Sequence, residues 1–200
     1  MPVQWLPGSL TVANSYIYEG ILIDAGIPPF AVTPYRGIIH TIVLTHCHYD
    51  HTAHAGEIAR MCNAEIAIHR LDGEALRDDF RSVAMHFGGR APAVRPDRIL
   101  EDGETIGPLT VIHTPGHTPG GICLYEEHRE ILFSGDTVFT EGSFGRYDLP
   151  GGDLATLKRS IKRLTALRVE ELYPGHEFPV QKDGGKHIAA ACHILRGISR

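Results

Sequence analysis

The stretch Ile38-Ile39-His40-Thr41-Ile42-Val43-Leu44-Thr45-His46-Cys47-His48-Tyr49-Asp50-His51 joins an apolar, β-branched run to three imidazoles and a carboxylate. Apart from His40 and Thr41, Ile38 to Leu44 has the pattern of a strand covered on both faces. In an extended segment His46 and His48 project to the same side and Cys47 to the other, so Cys47 reads as packing rather than ligation. A turn after His48 swings Asp50 and His51 toward a neighbouring point. The result is two adjacent ligand sets, with room for one metal ion or two.

Downstream, a helix over Ala53 to Met61 and a strand over Glu65 to His69 complete a strand–helix–strand unit. Upstream, Val12 to Gly26 reads as a hairpin of Ser15 to Tyr18 and Ile21 to Ile23 about Glu19-Gly20, closed by Asp24-Ala25-Gly26. Residues 70–98 hold Gly88-Gly89, prolines and many charges, and are expected as helix fragments and loops, a solvated connector rather than a lid. Strands follow at Leu109 to His113, Ile122 to Tyr125 and Ile131 to Ser134. Asp153 is placed to cap a helix whose apolar positions are Leu154, Leu157, Ile161, Leu164 and Leu167, with Lys158, Arg159, Lys162 and Arg163 on a solvated face. A strand over Val169 to Tyr173 and a last helix carrying Ile188, Ala191, Cys192, Leu195 and Ile198 complete an α/β chain, expected to be one domain over residues 1–200.

Composition narrows the classes. The chain has 200 residues, 42% of them hydrophobic and 22% charged, which fits a globular protein and argues against disorder, collagen-like repeats and coiled coil. A net charge of −5 and the lack of basic blocks at either end argue against nucleic-acid binding. No apolar run is long enough to span a bilayer, and Met1 to Trp5 lacks a basic region followed by an apolar core, so a soluble, cytoplasmic chain without a membrane partner is expected. Cys47, Cys62, Cys123 and Cys192 show no CxxC spacing, as free thiols in a reducing compartment do.

Three more candidates follow apolar strands: His117 in Thr114-Pro115-Gly116-His117-Thr118-Pro119-Gly120-Gly121, Asp136 in Ser134-Gly135-Asp136, and His176 in Tyr173-Pro174-Gly175-His176-Glu177. Open α/β sheets place ligands beyond the carboxyl ends of their strands. The chain has 13 histidines, and His40, His54, His69, His86, His113, His128, His187 and His193 fall outside these segments and read as ordinary core or surface residues.

Through His46, His48, Asp50 and His51, followed in order by His117, Asp136 and His176, the chain resembles the metallo-β-lactamase superfamily over nearly its whole length. The resemblance implies an α/β fold of the four-layer αβ/βα sandwich type. It implies one metal held by His46, His48, His117 and Asp136, and a second held by Asp50, His51, His176 and a shared oxygen of Asp136. Asp24 is similar to the family's buried carboxylate that orients the site rather than binding metal. An aspartate at 136, where class B β-lactamases carry cysteine, together with the TPGHTPGG and PGHE stretches, is closest to glyoxalase II. Gly145-Arg146-Tyr147-Asp148-Leu149-Pro150-Gly151-Gly152 resembles the GRxDxPGG stretch of short glyoxalase II-like proteins.

The resemblance therefore implies a metal-dependent thioesterase acting on a small-molecule hydroxyacyl thioester. It does not imply glutathione as the thiol, because full-length glyoxalase II holds glutathione with a C-terminal helical domain that has no counterpart after His176. A donor set of nitrogens and oxygens without thiolate suits two divalent ions, zinc first, with iron or manganese as alternatives. A hydroxide bridging both ions would attack the carbonyl, with Asp50 and Asp136 as catalytic residues and Arg146 and Tyr147 beside the substrate. The alternatives are a mononuclear iron persulfide dioxygenase using His46, His117 and Asp136, and a lactonase-type hydrolase of the same fold.

Overall fold

The computed structural model describes residues 2–198. Its contacts divide the chain into two compact units, Met1–Leu100 and Glu101–Arg200, each built on its own sheet.

The first unit is a six-stranded sheet in sequence order: β1 (Gln4–Leu6), β2 (Ser15–Tyr18), β3 (Ile21–Ile23), β4 (Thr41–Leu44), β5 (Glu65–His69) and β6 (Arg98–Leu100). β1 to β3 run antiparallel; β3 to β6 run parallel. The expected hairpin forms, pairing Tyr16 with Ile23 and Tyr18 with Ile21. β4 is buried along its whole length, as a strand inside a parallel sheet must be. It begins at Thr41 rather than Ile38, because the Ile38 and Ile39 N–H groups both donate to the Tyr35 carbonyl and close a turn there. Among the helical pieces, α1 (Pro29–Val32) follows β3, and α2 (Tyr49–Thr52), α3 (Ala55–Cys62) and α4 (Arg70–Gly73) come later.

The helix expected over Ala53 to Met61 is α3, which starts two residues later, at Ala55; the separate turn α2 precedes it. The two are divided at Ala53-His54, where the His54 N–H donates to the Ala25 carbonyl at 2.9 Å. α3 ends at Asn63 in the left-handed conformation, a common helix stop. Its Ile58 packs with Leu22, Ile42, Leu44, Ile66 and Ile68 in the core of this unit. Each such side chain, fully buried, contributes about 1.5–3 kcal/mol.

The second unit is a five-stranded sheet in the order β11-β10-β9-β8-β7. β7 (Thr105–Ile106), β8 (Leu109–His113), β9 (Ile122–Glu126) and β10 (Ile131–Gly135) run antiparallel, and β11 (Glu171–Pro174) lies parallel to β10. The connection from β10 to β11 contains α5 (Leu154–Leu164), capped by Asp153, whose carboxylate accepts the Thr156 N–H at 2.7 Å. Leu157, Ile161 and Leu164 form its buried stripe, while Leu167 lies beyond its end. They meet Ile188, Ala191 and Leu195 of α6 (Gly184–Gly197) in the core of this unit. Three short strands, β1, β6 and β7, were not expected from the sequence pattern.

Candidate metal centre

In the first unit the ligand candidates follow β4 directly. The chain bends at Thr45-His46, is extended again at His48, the N-cap of α2, and so places Asp50 and His51 in the first turn of a helix. The His46 ring centroid is 4.7 Å from that of His48 and 4.1 Å from that of His51. Ligand atoms of His46 and His48, of His46 and His51, and of Asp50 and His51 approach within 4.8 Å pairwise. All three imidazoles are buried, and the Asp50 side chain is 11% exposed. The backbone is fixed as firmly: the Asp50 carbonyl accepts the Ala13 N–H at 3.1 Å and the His51 carbonyl accepts the Ala25 N–H at 2.7 Å. Gly26 permits this approach, since a Cβ there would lie 1.6 Å from the Asp50 oxygen.

Asp24, buried at the end of β3, organises the group. Its carboxylate accepts the Thr45 N–H at 2.8 Å and the Thr45 hydroxyl at 2.9 Å. It also accepts His51 Nδ1–H at 2.7 Å. With its proton given to Asp24, the Thr45 oxygen accepts from His46 Nδ1, 3.1 Å away. Both imidazoles are therefore held as the tautomer that leaves the Nε2 lone pair available, the form a metal requires. The role that resemblance implies for Asp24 is visible here, and Thr45 extends it to a second histidine.

In the second unit His117, Asp136 and His176 follow β8, β10 and β11. His117 Nδ1–H donates to the Arg146 carbonyl at 2.5 Å, which again frees Nε2 as a donor of electrons. Gly145 makes room: a Cβ there would lie 2.0 Å from the Asp136 carbonyl oxygen and 2.9 Å from His117 Nδ1. Asp136 Oδ2 stands 3.5 Å from His117 Nε2 and 3.6 Å from His176 Nε2. Two ligand atoms each about 2.1 Å from a tetrahedral ion are about 3.4 Å apart, so one carboxylate oxygen is spaced to share an ion with either imidazole. The Gly175 N–H, donated to the Gly135 carbonyl at 2.8 Å, ties the end of β11 to that of β10. Glu177 accepts the Thr140 and Ser143 hydroxyls, each at 2.7 Å, and pins the 140–143 turn beside His176.

The donors present fit divalent ions: imidazole nitrogens, those of His46, His51 and His117 held in the ligating tautomer, and carboxylates, with no thiolate among them. Cys47 is outside the set. Burial and the nearby Asp72 push its thiol well up, and its sulfur faces the Arg81 carbonyl at 3.6 Å. Of the two substrate candidates, Arg146 is engaged by Asp148 through Nε at 2.9 Å and Nη2 at 2.8 Å, while 65% exposed. Tyr147 is half-buried against the core of its unit. Sequence reasoning missed Thr45, Glu177 and the Arg146 carbonyl. The first two are marked only by adjacency to His46 and His176, and a backbone carbonyl leaves no mark in a sequence.

Comparison with known proteins places this geometry. The chain belongs to the metallo-beta-lactamase superfamily, whose family model matches residues 8–176. Within that superfamily it is a metallo-hydrolase, similar to the acyl-coenzyme A thioesterase MBLAC2 of Homo sapiens, 35% identical over 160 residues that cover 67% of this chain and 54% of MBLAC2. It is also similar to the hydroxyacylglutathione hydrolase GloC of Haemophilus influenzae, 33% identical over 130 residues, covering 62% of this chain and 61% of GloC. Its two-sheet α/β fold matches the crystal structure of TTHA1623 in a di-iron-bound form, with TM-score 0.80, 32% identity, and coverage of 89% and 94% of the two chains. Among the described residues no helix is long and apolar enough to cross a membrane.

Proposed function

We propose that this protein is a dinuclear metal-dependent thioesterase of the glyoxalase II type, acting on a small-molecule acyl or hydroxyacyl thioester. The observation that carries the proposal is Asp136 Oδ2, standing between His117 Nε2 and His176 Nε2 at 3.5 and 3.6 Å. In this reading His46, His48 and His117 hold one ion, Asp50, His51 and His176 hold the other, and Asp136 serves both. Zinc is the metal proposed, with iron supported by the di-iron relative. The thioester is supported by the activities named for MBLAC2 and GloC, relatives of which this chain spans little more than half. A cytoplasmic location agrees with four free cysteines.

Divalent ions bound there would supply a water deprotonated near pH 7 and stabilise negative charge developing on the carbonyl oxygen. The protein's part is positional. Asp24 and Thr45 hold His46 and His51, and the Arg146 carbonyl holds His117, each in the ligating tautomer. Asp50, at the open edge of its group, orients the attacking water. A thiolate leaves without a proton from the protein, since a thiol's pKa of about 8.5 makes it a good leaving group at neutral pH. Arg146 is the exposed cation that a substrate carboxylate would meet, exchanging for Asp148, with Tyr147 alongside.

Thiol release from a panel of acyl thioesters, measured on protein loaded with zinc, manganese or iron, tests the proposal. Turnover that is abolished in Asp136→Ala is expected. One iron per chain with dioxygen consumed on a persulfide, or opening of lactones or β-lactams without thioester cleavage, would overturn it.

A further inference from the structure

The connector between β5 and β6 carries three exposed apolar side chains close together in sequence: Phe80, Met85 and Phe87, exposed by 67%, 68% and 37%. Single apolar residues are ordinary on a surface. These, however, lie on a stretch fastened to the ligand loop. Tyr49, between His48 and Asp50, donates its N–H to the Ser82 carbonyl at 2.8 Å. Its ring lies 5.7 Å from the ring of Phe87, and α2 packs on the short helical turn Ala84–Phe87. Val83, which leads into that turn, is buried and left-handed at φ 51° and ψ 20°, a conformation that a β-branched residue adopts only when its surroundings impose it. The connector thus holds Phe87 against Tyr49 of the loop that supplies four proposed ligands, with Met85 two residues away in the same turn, and leaves both Phe87 and Met85 open to solvent.

Resting on the thioesterase reading, we infer that Tyr49, Phe87 and Met85 form an apolar rim that receives the acyl chain of the substrate. The substrate class is then a thioester of an extended, apolar acyl group rather than of a small hydroxy acid. Aromatic and methionine side chains suit this task, because they cover methylenes of varying position without fixed polar contacts.

The test uses N-acetylcysteamine thioesters of two to ten carbons and the matching unreactive S-alkyl thioethers. Each methylene buried on the rim should raise kcat/KM about twofold to fourfold. Phe87→Asp and Met85→Asp should then lower the decanoyl-to-acetyl ratio of kcat/KM by tenfold or more. Phe87→Ala and Met85→Ser, milder for folding, should lower it severalfold. An unchanged ratio, including one in which both substrates slow equally, overturns the inference. So does loss of self-association in the variants with the ratio unchanged, which would give the rim to a second copy of the chain. If no thioester is cleaved, the thioesterase reading fails, and the thioethers still decide on the rim. Affinity that rises with alkyl length in the parent and not in the Phe87 variants supports it; affinity independent of both overturns it.

Discussion

Asp24 accepts from the Thr45 amide, the Thr45 hydroxyl and His51 Nδ1 at once, so its two oxygens set the state of two imidazoles. An amide there keeps the shape but turns one acceptor into a donor. Asp24→Asn should weaken metal binding about 10- to 100-fold, as measured by competition with a chelating dye, while the circular dichroism spectrum is kept. Unchanged affinity would show that the tethers do not matter. Gly145→Ala should be as damaging from the other unit, because the new methyl meets the Asp136 carbonyl and His117 Nδ1. Its expected signature is lost metal with most of the secondary structure intact. The pair of Arg146 and Asp148 gives a pH prediction. The Arg146 hydrogen bond holds the Asp148 carboxyl at about 2, below its ordinary 3.8. Since the folded value is the lower, the pair favours the folded chain above about pH 4, and this contribution fades as pH falls toward 2. In Arg146→Gln the Asp148 carboxyl should titrate near its ordinary value by carbon-detected NMR. Candidate ligands carry their chemistry in their identity, so His46, His48, Asp50, His51, His117, Asp136 and His176 stand out in the sequence as residues that could hold a metal. Thr45 and the Arg146 carbonyl could not, because their roles come from where the backbone puts them.

Elements were legible where periodicity or capping is strong. β5 and β8 begin and end where alternation and turn residues place them, and α5 starts at its Asp153 cap. Replacing that cap should cost about 1 kcal/mol, so Asp153→Ala is expected to lower Tm by roughly 2–4 °C in calorimetry. No change would mean that the cap is redundant with the Asp153 N–H bond to the Gly116 carbonyl. β1, β6 and β7 were invisible because two or three residues of mixed polarity show neither a period nor the apolar run that marks β3, and sheet pairing alone defines them. The later start of α3 was hidden for a similar reason: the Ala25 carbonyl, distant in sequence, claims the His54 N–H.

For the molecule as a whole, apolar β-branched runs alternating with helical stripes showed an α/β protein. The split into a parallel-rich first sheet and an antiparallel second sheet follows from strand pairing, which apolar patterning does not encode. Each unit has its own core and presents its ligand candidates just beyond the ends of its strands. In the proposed centre these seven residues serve one pair of ions through Asp136. Anomalous diffraction from crystals grown with zinc tests it most directly. Two peaks are predicted, one within ligating distance of His46, His48 and His117, the other of Asp50, His51 and His176, with Asp136 contacting both. A single peak, or a pair of ions that Asp136 does not join, would contradict it.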